Sequence, residues 1–311
     1  AWWILVANAW MQHPVGMEFN PDTVRNEMVD FMAVAFSPVA VNKFCHTVLS
    51  SWVLGAVFVI GISCWFLLKK RDKEFAIASI KIGAIFGLVA SVLTVWTGDG
   101  SGYAVAQTQP MKLAAVEGYY EGQNGAGLVA VGVLNPDKKT YDDGQNPFLF
   151  RIEIPKMLSF LAERKADAFV PGIKNIIEGG YELKDGTKAL SAAEKIERGK
   201  KAITALGTYR AAKKDGDEAA MQQASATLKE NVAYFGYGYI KDVNQLVPNV
   251  PLNFYAFRVM VILGGYFILF FIAILFFVYK KDLSQMRWMQ YIGLWTIPFA
   301  YIAGQAGWVV A

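Results

Sequence analysis

The sequence is poor in charged residues and in cysteine. Charged residues make up 18% of the chain, below the roughly 25% typical of soluble domains. The only two cysteines, Cys45 and Cys64, lie in one apolar block. They are too far apart along a helix to form a disulfide with each other, so we interpret both as free thiols. No basic patch is interleaved with base-stacking aromatics, which argues against nucleic acid as a partner.

Apolar residues make up 54% of the chain and collect into blocks. A helix needs about 20 apolar residues to cross the hydrocarbon core of a bilayer, and core helices of soluble proteins rarely reach that length without a polar stripe. We therefore predict an all-α polytopic membrane protein with four full transmembrane helices and a partial one. The full spans are residues 44–68, 76–97, 254–278 and 291–311, and the partial span is 1–12.

The two ends of the sequence both fall inside apolar runs. The chain starts with Ala1 and the run Trp2–Ala7, and it ends with the run Trp308–Ala311. Neither end carries a signal peptide. We expect an internal part of a longer protein, with structure missing at both ends.

The charges of the short loops predict the orientation in the membrane. Residues 69–75 and 279–290 are rich in Lys and Arg, and short loops of this kind stay in the cytoplasm. The polar segment 98–253 then forms one large extracytoplasmic insert between the membrane helices of 1–97 and those of 254–311.

Composition divides the insert into two parts. Residues 98–188 contain many Gly, Asp, Asn and Pro residues, which favour turns. This part is therefore predicted to form loops with short helices or strands. Residues 189–232 are rich in Ala, Glu, Lys and Gln, and they predict one or two amphipathic helices broken near 214–216. We therefore expect a mostly helical insert.

Two candidate metal ligands lie at similar depth near the outer membrane face. His46 is at the outer end of the first full span, and Met260 is at the outer end of the third. A His nitrogen and a Met thioether on facing helices can be the axial pair of a low-spin haem. The alternatives are a hydrogen-bonded helix-end His and a Met that only packs. Arg258 is either a snorkelling anchor or the partner of an anionic group such as a haem propionate.

Several segments in the same order carry a resemblance to a known family. They are Trp3–Asn8 with Gln12–Pro14, Lys43–Val48, Gly98–Tyr103, Lys112–Glu117, Tyr255–Met260 and Ala306–Trp308. Through these segments the chain resembles subunit I of the cytochrome bd-type quinol oxidases. The resemblance implies that His46 and Met260 are the axial ligands of a low-spin haem b and that Arg258 lies beside it. Trp308 matches a tryptophan among the haems.

The same resemblance assigns the insert as the quinol-oxidising loop, in its long form. Lys112 and Glu117 match a Lys and a Glu of that loop. Quinol oxidation releases protons together with electrons, so the Glu117 carboxylate could accept a proton from the quinol. From the residues alone, two solvated charges on a surface helix are the alternative.

The family oxidises a membrane quinol, either ubiquinol or menaquinol, and reduces dioxygen to water. The implied protein is a multi-pass subunit of the bacterial cytoplasmic (inner) membrane, with its large loop on the periplasmic side. It works with a second membrane subunit and also uses a high-spin haem b and haem d.

The sequence also departs from the family pattern. A His ligand of the high-spin site, carboxylates of a proton path and a further Glu ligand have no counterpart here, so we expect the chain alone to be inactive. The rival interpretations are a di-haem membrane electron carrier without oxygen chemistry and a transporter with an extracytoplasmic domain.

Overall fold

The computed structural model describes all residues, 1–311, and the chain is mostly helical. In chain order the helices are α1 (Trp2–Gln12), α2 (Phe31–Ala35), α3 (Pro38–Leu68), α4 (Lys73–Thr108), α5 (Pro110–Glu117), α6 (Met157–Glu163), α7 (Ile173–Glu178), α8 (Ala192–Asp215), α9 (Glu218–Asn231), α10 (Val250–Lys280), α11 (Arg287–Trp295) and α12 (Ile297–Val310). Short 3-10 helices cover Val232–Tyr239, Val243–Leu246 and Leu283–Gln285.

Six short strands accompany the helices, so the expectation of an all-α chain is too narrow. The strands are β1 (Met17–Asn20), β2 (Arg25–Met28), β3 (Gln123–Asn124), β4 (Leu128–Leu134), β5 (Phe148–Ile154) and β6 (Phe169–Val170). They form three two-stranded antiparallel sheets, β1–β2, β3–β6 and β4–β5. Alternating β-branched and aromatic residues favour the β4–β5 pairing, in which Val131 is opposite Ile152 and Val133 is opposite Phe150.

Three segments are long and apolar enough to cross a membrane. They are Phe31–Leu68, Lys73–Thr108 and Val243–Lys280, and they contain the predicted spans 44–68, 76–97 and 254–278. Each extends beyond the predicted bounds, because polar residues at the ends of a helix interrupt the apolar run without ending the backbone hydrogen bonds.

The predicted span 291–311 is not one helix. Helices α11 and α12 meet at Thr296, and neither alone reaches spanning length. Pro298 lies in the first turn of α12, where it can donate no backbone hydrogen bond to the preceding turn. Thr296 is fully buried at this break, where its hydroxyl donates to the Ile292 carbonyl and lies 2.7 Å from the Tyr266 hydroxyl. The count of four full spans therefore stays a prediction.

The glycine-rich segment after residue 97 is helical, whereas the sequence predicted a loop. Helix α4 continues through it to Thr108. The Asn42 side chain on α3 donates to the Thr97 carbonyl at 3.1 Å and to the Ser101 hydroxyl at 2.7 Å. A Cβ at Gly100 would lie 3.0 Å from the Asn42 amide oxygen. Glycine therefore lets α3 and α4 approach here, and tertiary contacts outweigh the low helix propensity of glycine.

The chain forms two compact units. The first contains residues 1–7, 38–104 and 251–311, and the second contains residues 8–37 and 105–250. The apolar core of the first unit includes Val57, Ile60, Ile80, Phe271 and Ile274. We call the first the membrane unit and the second the insert unit.

The insert unit confirms the predicted helix break near Gly216. Helix α8 begins with a capping box in which Ser191 and Glu194 satisfy each other's backbone N–H groups. Gly216 ends it in the left-handed conformation, with φ of 74°. Asp217 then caps the start of α9 through the Ala220 N–H.

Candidate functional site

A hydrogen bond to Thr97 fixes the orientation of the His46 ring in the membrane unit. The His46 Nδ1 lies 3.0 Å from the Thr97 Oγ1, joining α3 to α4. The Thr97 hydroxyl has a single proton, and the Leu93 and Thr94 carbonyls each lie 3.1 Å from its oxygen. Which atom donates between Nδ1 and Oγ1 depends on the imidazole tautomer. In the tautomer with the proton on Nδ1, that nitrogen donates to Thr97 and the lone pair of Nε2 is available to a metal.

Each of the two candidate ligands packs against a glycine of a neighbouring helix. A Cβ at Gly98 on α4 would lie 3.3 Å from the His46 Cε1. A Cβ at Gly307 on α12 would lie 3.2 Å from the Met260 Sδ on α10. Both distances are shorter than an ordinary van der Waals contact. The two glycines therefore give each ligand side chain the room that any other residue would take.

Arg258 is buried on α10, two residues before Met260. Only 8% of its surface is exposed. Its guanidinium lies over the Phe254 ring, 4.2 Å from the centroid, and 5.4 Å from that of Phe257. Stacking on aromatic faces offsets part of the cost of burying the charge. The guanidinium is therefore fixed by its packing on these two rings and is not a mobile surface cation.

Trp308 follows Gly307 directly, so it lies one residue from the contact with Met260. Its side chain is 77% exposed on α12. A large aromatic surface is thus available beside the candidate ligand. Within this chain, nothing packs over most of it.

The two candidate quinol residues lie on the short helix α5 in the insert unit. Glu117 is its last residue and is 3% exposed, and Gly118 follows in the left-handed conformation with φ of 62°. Lys112 is partly buried, and burial lowers the pKa of its ammonium below the ordinary value. Neither side chain is therefore a solvated surface charge, which was the alternative from sequence.

The donor types of His46 and Met260 suit a haem better than a bare metal ion. No group of three or more His, Cys, Asp or Glu side chains lies together anywhere in the chain. A haem supplies four nitrogen ligands itself and needs only axial donors from the protein. One imidazole nitrogen and one thioether, each facing a glycine, match that need, and Arg258 matches the negative charge of a propionate.

Sequence reasoning from single motifs missed Thr97, Gly98 and Gly307. Thr97 is 51 positions from His46, and Gly307 is far from Met260 in the chain. Threonine and glycine are ordinary residues of membrane helices, so no local pattern distinguishes these three. Only the packing of helices shows that they lie against the candidate ligands His46 and Met260.

The whole chain matches a family model. The model for cytochrome bd terminal oxidase subunit I covers residues 1–311. The chain is 35% identical over 309 residues to the cytochrome bd-II ubiquinol oxidase subunit 1 of Escherichia coli (strain K12), which covers 99% of this chain and 59% of that protein. It is 27% identical over 312 residues to the cytochrome bd ubiquinol oxidase subunit 1 of Bacillus subtilis (strain 168), covering 100% of this chain and 52% of that protein.

A solved structure shares the fold. The bd oxidase from Geobacillus thermodenitrificans superposes with a TM-score of 0.66 at 21% sequence identity, over 100% of this chain and 54% of that one. The chain thus spans between half and three-fifths of the length of these relatives.

Proposed function

The chain belongs to the cytochrome bd terminal oxidase subunit I family, and we propose that it is the electron-entry part of a quinol:oxygen oxidoreductase. In this proposal the protein oxidises a membrane quinol at the insert and passes the electrons through a haem in the membrane unit. The final acceptor is dioxygen, which the complete oxidase reduces to water together with a second membrane subunit.

The observation that carries the proposal is the hydrogen bond between His46 and Thr97. Metal-bound histidines usually donate their other ring N–H to a neighbouring acceptor, which fixes the ring and the tautomer. Thr97 supplies that acceptor. We assign His46 and Met260 as the residues that would hold the iron of a low-spin haem b, which would supply one-electron redox chemistry when bound.

Arg258 and Trp308 have separate roles in this proposal. Arg258 would bind a propionate and would hold positive charge beside the haem, which would favour the reduced form. Trp308, exposed next to the Met260 contact, supplies an aromatic surface toward the other haems of the complex. Those are a high-spin haem b and haem d, whose remaining ligands are outside this chain.

Lys112 and Glu117 act on the quinol. The Lys112 ammonium donates a hydrogen bond to a quinol oxygen and positions the head group. Glu117 accepts a proton as the quinol is oxidised, because a carboxylate within hydrogen-bond reach of the hydroxyl is a general base. Burial of Glu117 keeps the accepted proton from immediate exchange with bulk water.

The proposed membrane topology follows from the basic loops. The loops of 69–75 and 279–290 are cytoplasmic, and the insert is on the outer side of the bacterial inner membrane. A quinol oxidised at the insert then releases its protons outside, while its electrons enter the membrane unit.

A reduced-minus-oxidised optical spectrum of the full-length oxidase complex tests the function. We expect b-type bands together with the long-wavelength band of a chlorin. His46→Ala or Met260→Leu should remove or convert the low-spin b signal, because each deletes one axial ligand. A complex without haem bands would instead be a transporter, and one with b-type bands alone would be an electron carrier without haem d.

A further inference from the structure

One lysine lies inside an apolar helix of the membrane unit. Lys81 is on α4, eight residues after the start of the helix at Lys73, which is about 12 Å along the helix axis. Its neighbours in the chain are Ile80 and Ile82, and the segment Lys73–Thr108 is long and apolar enough to cross a membrane. A charged group at this depth is costly unless a partner compensates it.

The protein compensates the Lys81 ammonium only in part. The ammonium lies over the Tyr279 ring of α10, 5.1 Å from the centroid, which is a cation–π contact. Neither the ammonium nor the Tyr279 hydroxyl has a hydrogen bond or an ion pair in this chain. A charged donor and a neutral donor therefore lie near the same ends of α4 and α10 without an acceptor.

The loops that adjoin these helix ends carry an excess of positive charge. Residues 69–75 and 279–290 contain seven basic and three acidic residues. The one ion pair among them joins Lys73 to Asp282 at 3.7 Å, and both side chains are more than half exposed. Exposed pairs of this kind contribute little. The excess of positive charge at this end of the membrane unit therefore attracts anions from outside the chain.

An open apolar stripe continues from Lys81 along α4. Ile85, Val89 and Val92 follow Lys81 by four, eight and eleven residues, a spacing that keeps them on one helix face. About half of the surface of each of the three is exposed. The stripe extends about 16 Å from Lys81, which matches the roughly 15 Å of hydrocarbon in one leaflet of a bilayer.

Helix α10 carries a second open stripe, which starts at Tyr279. It consists of the exposed residues three, seven and ten positions before Tyr279, which are Phe276, Ile272 and Leu269. The two helices are antiparallel neighbours, since Lys81 contacts Tyr279 and Gly87 packs against Phe271. Both stripes therefore lead from the two donors towards the centre of the bilayer.

We propose that the two donors and the two stripes form a binding site for one anionic phospholipid of the cytoplasmic leaflet. The Lys81 ammonium and the Tyr279 hydroxyl donate hydrogen bonds to the lipid phosphate, and an acyl chain lies along the stripes. Basic pockets between helices at the cytoplasmic side suit such head groups. The apolar stripes favour a lipid over free phosphate. The site is separate from the proposed haem and quinol sites, and only the choice of leaflet rests on the proposed topology.

The test measures lipid binding to the full-length oxidase in phosphatidylcholine bilayers by electron spin resonance. The wild type should immobilise spin-labelled phosphatidylglycerol in preference to spin-labelled phosphatidylcholine. Lys81→Met removes the charge and keeps a long side chain, so this preference should fall about fivefold, the contribution of one cation near an anionic surface. Tyr279→Phe keeps the ring and loses one donor, so the preference should fall less. Lys81→Arg should retain the preference.

Two controls separate a site from a general attraction to charge. Lys70→Gln is the matched variant, because Lys70 is exposed in the loop of 69–75 and belongs to neither stripe. It should keep the wild-type preference, and an equal fall in Lys70→Gln and Lys81→Met would overturn the site. A large excess of inorganic phosphate should leave the lipid immobilised. Release of the lipid by phosphate would mean that the donors bind a free anion and that the stripes hold no acyl chain.

A photoreactive amino acid in place of Ile85 identifies what covers the stripe. The crosslinked product should be a phospholipid, and a crosslink to another helix of the oxidase would overturn the proposal. Equal lipid preferences in the wild type and Lys81→Met would also overturn it. The low-spin haem spectrum should be unchanged in all these variants, which shows that the fold is retained. Loss of the lipid site leaves the proposed function intact, because that function depends on His46 and Met260.

Discussion

The His46 Nδ1 and the Thr97 hydroxyl oxygen are hydrogen-bonded at 3.0 Å, although the two residues are 51 positions apart. This bond joins α3 to α4 and points the lone pair of Nε2 away from Thr97. It makes Thr97 a positioning residue for the proposed haem ligand, and it leads to the first prediction.

Replacing Thr97 with Val should weaken haem binding without removing a ligand. Loss of the partner of a metal-bound histidine typically costs about 10- to 100-fold in affinity. Thr97→Ser keeps the hydroxyl and should bind haem as the wild type does. Haem content and the low-spin optical bands of the purified complex are the measurements. Equal haem retention in Thr97→Val and Thr97→Ser would show that the hydrogen bond does not position the ligand.

The glycines that face the ligands should not tolerate a methyl group. Gly98→Ala and Gly307→Ala place a Cβ at 3.3 Å from His46 and 3.2 Å from Met260. Each should shift or broaden the low-spin spectrum, because the ligand must move by a few tenths of an ångström. Gly304→Ala is the matched control on α12, since a Cβ there meets nothing within 4 Å. A spectral change in Gly304→Ala equal to that in Gly307→Ala would contradict the steric explanation.

Arg258→Gln should lower the reduction potential of the low-spin haem while keeping it bound. Removing a nearby positive charge destabilises the reduced form, and the expected shift is on the order of tens of millivolts at protein dielectric. Arg258→Lys retains a charge and should shift the potential less. A spectroelectrochemical titration measures both. If the wild type, Arg258→Gln and Arg258→Lys all have the same midpoint potential, the charge of Arg258 has no effect on the haem.

Lys112 should give quinol oxidation an alkaline limit. The ammonium donates to the quinol only below its pKa, and burial lowers that pKa, so binding should weaken as pH rises through a value below that of an ordinary lysine. Lys112→Arg keeps its charge to higher pH and should move the rise in KM upward. Lys112→Ala should have the raised KM already at neutral pH and should show no further rise as the pH increases. Lys112 has no role in quinol binding if the wild-type KM does not change with pH and Lys112→Ala has the wild-type KM.

Glu117→Gln should lower kcat more than it changes KM. The amide keeps the size of the side chain but cannot accept the quinol proton, so the loss falls on the chemical step. The comparison is quinol-driven against donor-driven oxygen consumption in one preparation. Both rates falling together would point to general damage instead.

The sequence alone determined the membrane character of the chain and its family. Long apolar blocks in 44–68, 76–97 and 254–278 leave a helix as the only backbone that satisfies its own hydrogen bonds in lipid. Strong local signals also determined the break at Gly216, because a glycine in the left-handed conformation ends a helix whatever its neighbours are. His46, Met260, Lys112 and Glu117 were candidates from residue type and resemblance.

Tertiary structure decided what local signals could not. The glycines after residue 97 predict a loop, yet contacts with Asn42 keep them helical in α4. At the break between α11 and α12, Thr296 is buried against Tyr266, and Pro298 has no backbone N–H to donate. The contacts of Thr97, Gly98 and Gly307 arise from atoms that are distant in the chain. Burial and hydrogen-bond partnership are properties of packed neighbours, so only the folded chain defines them.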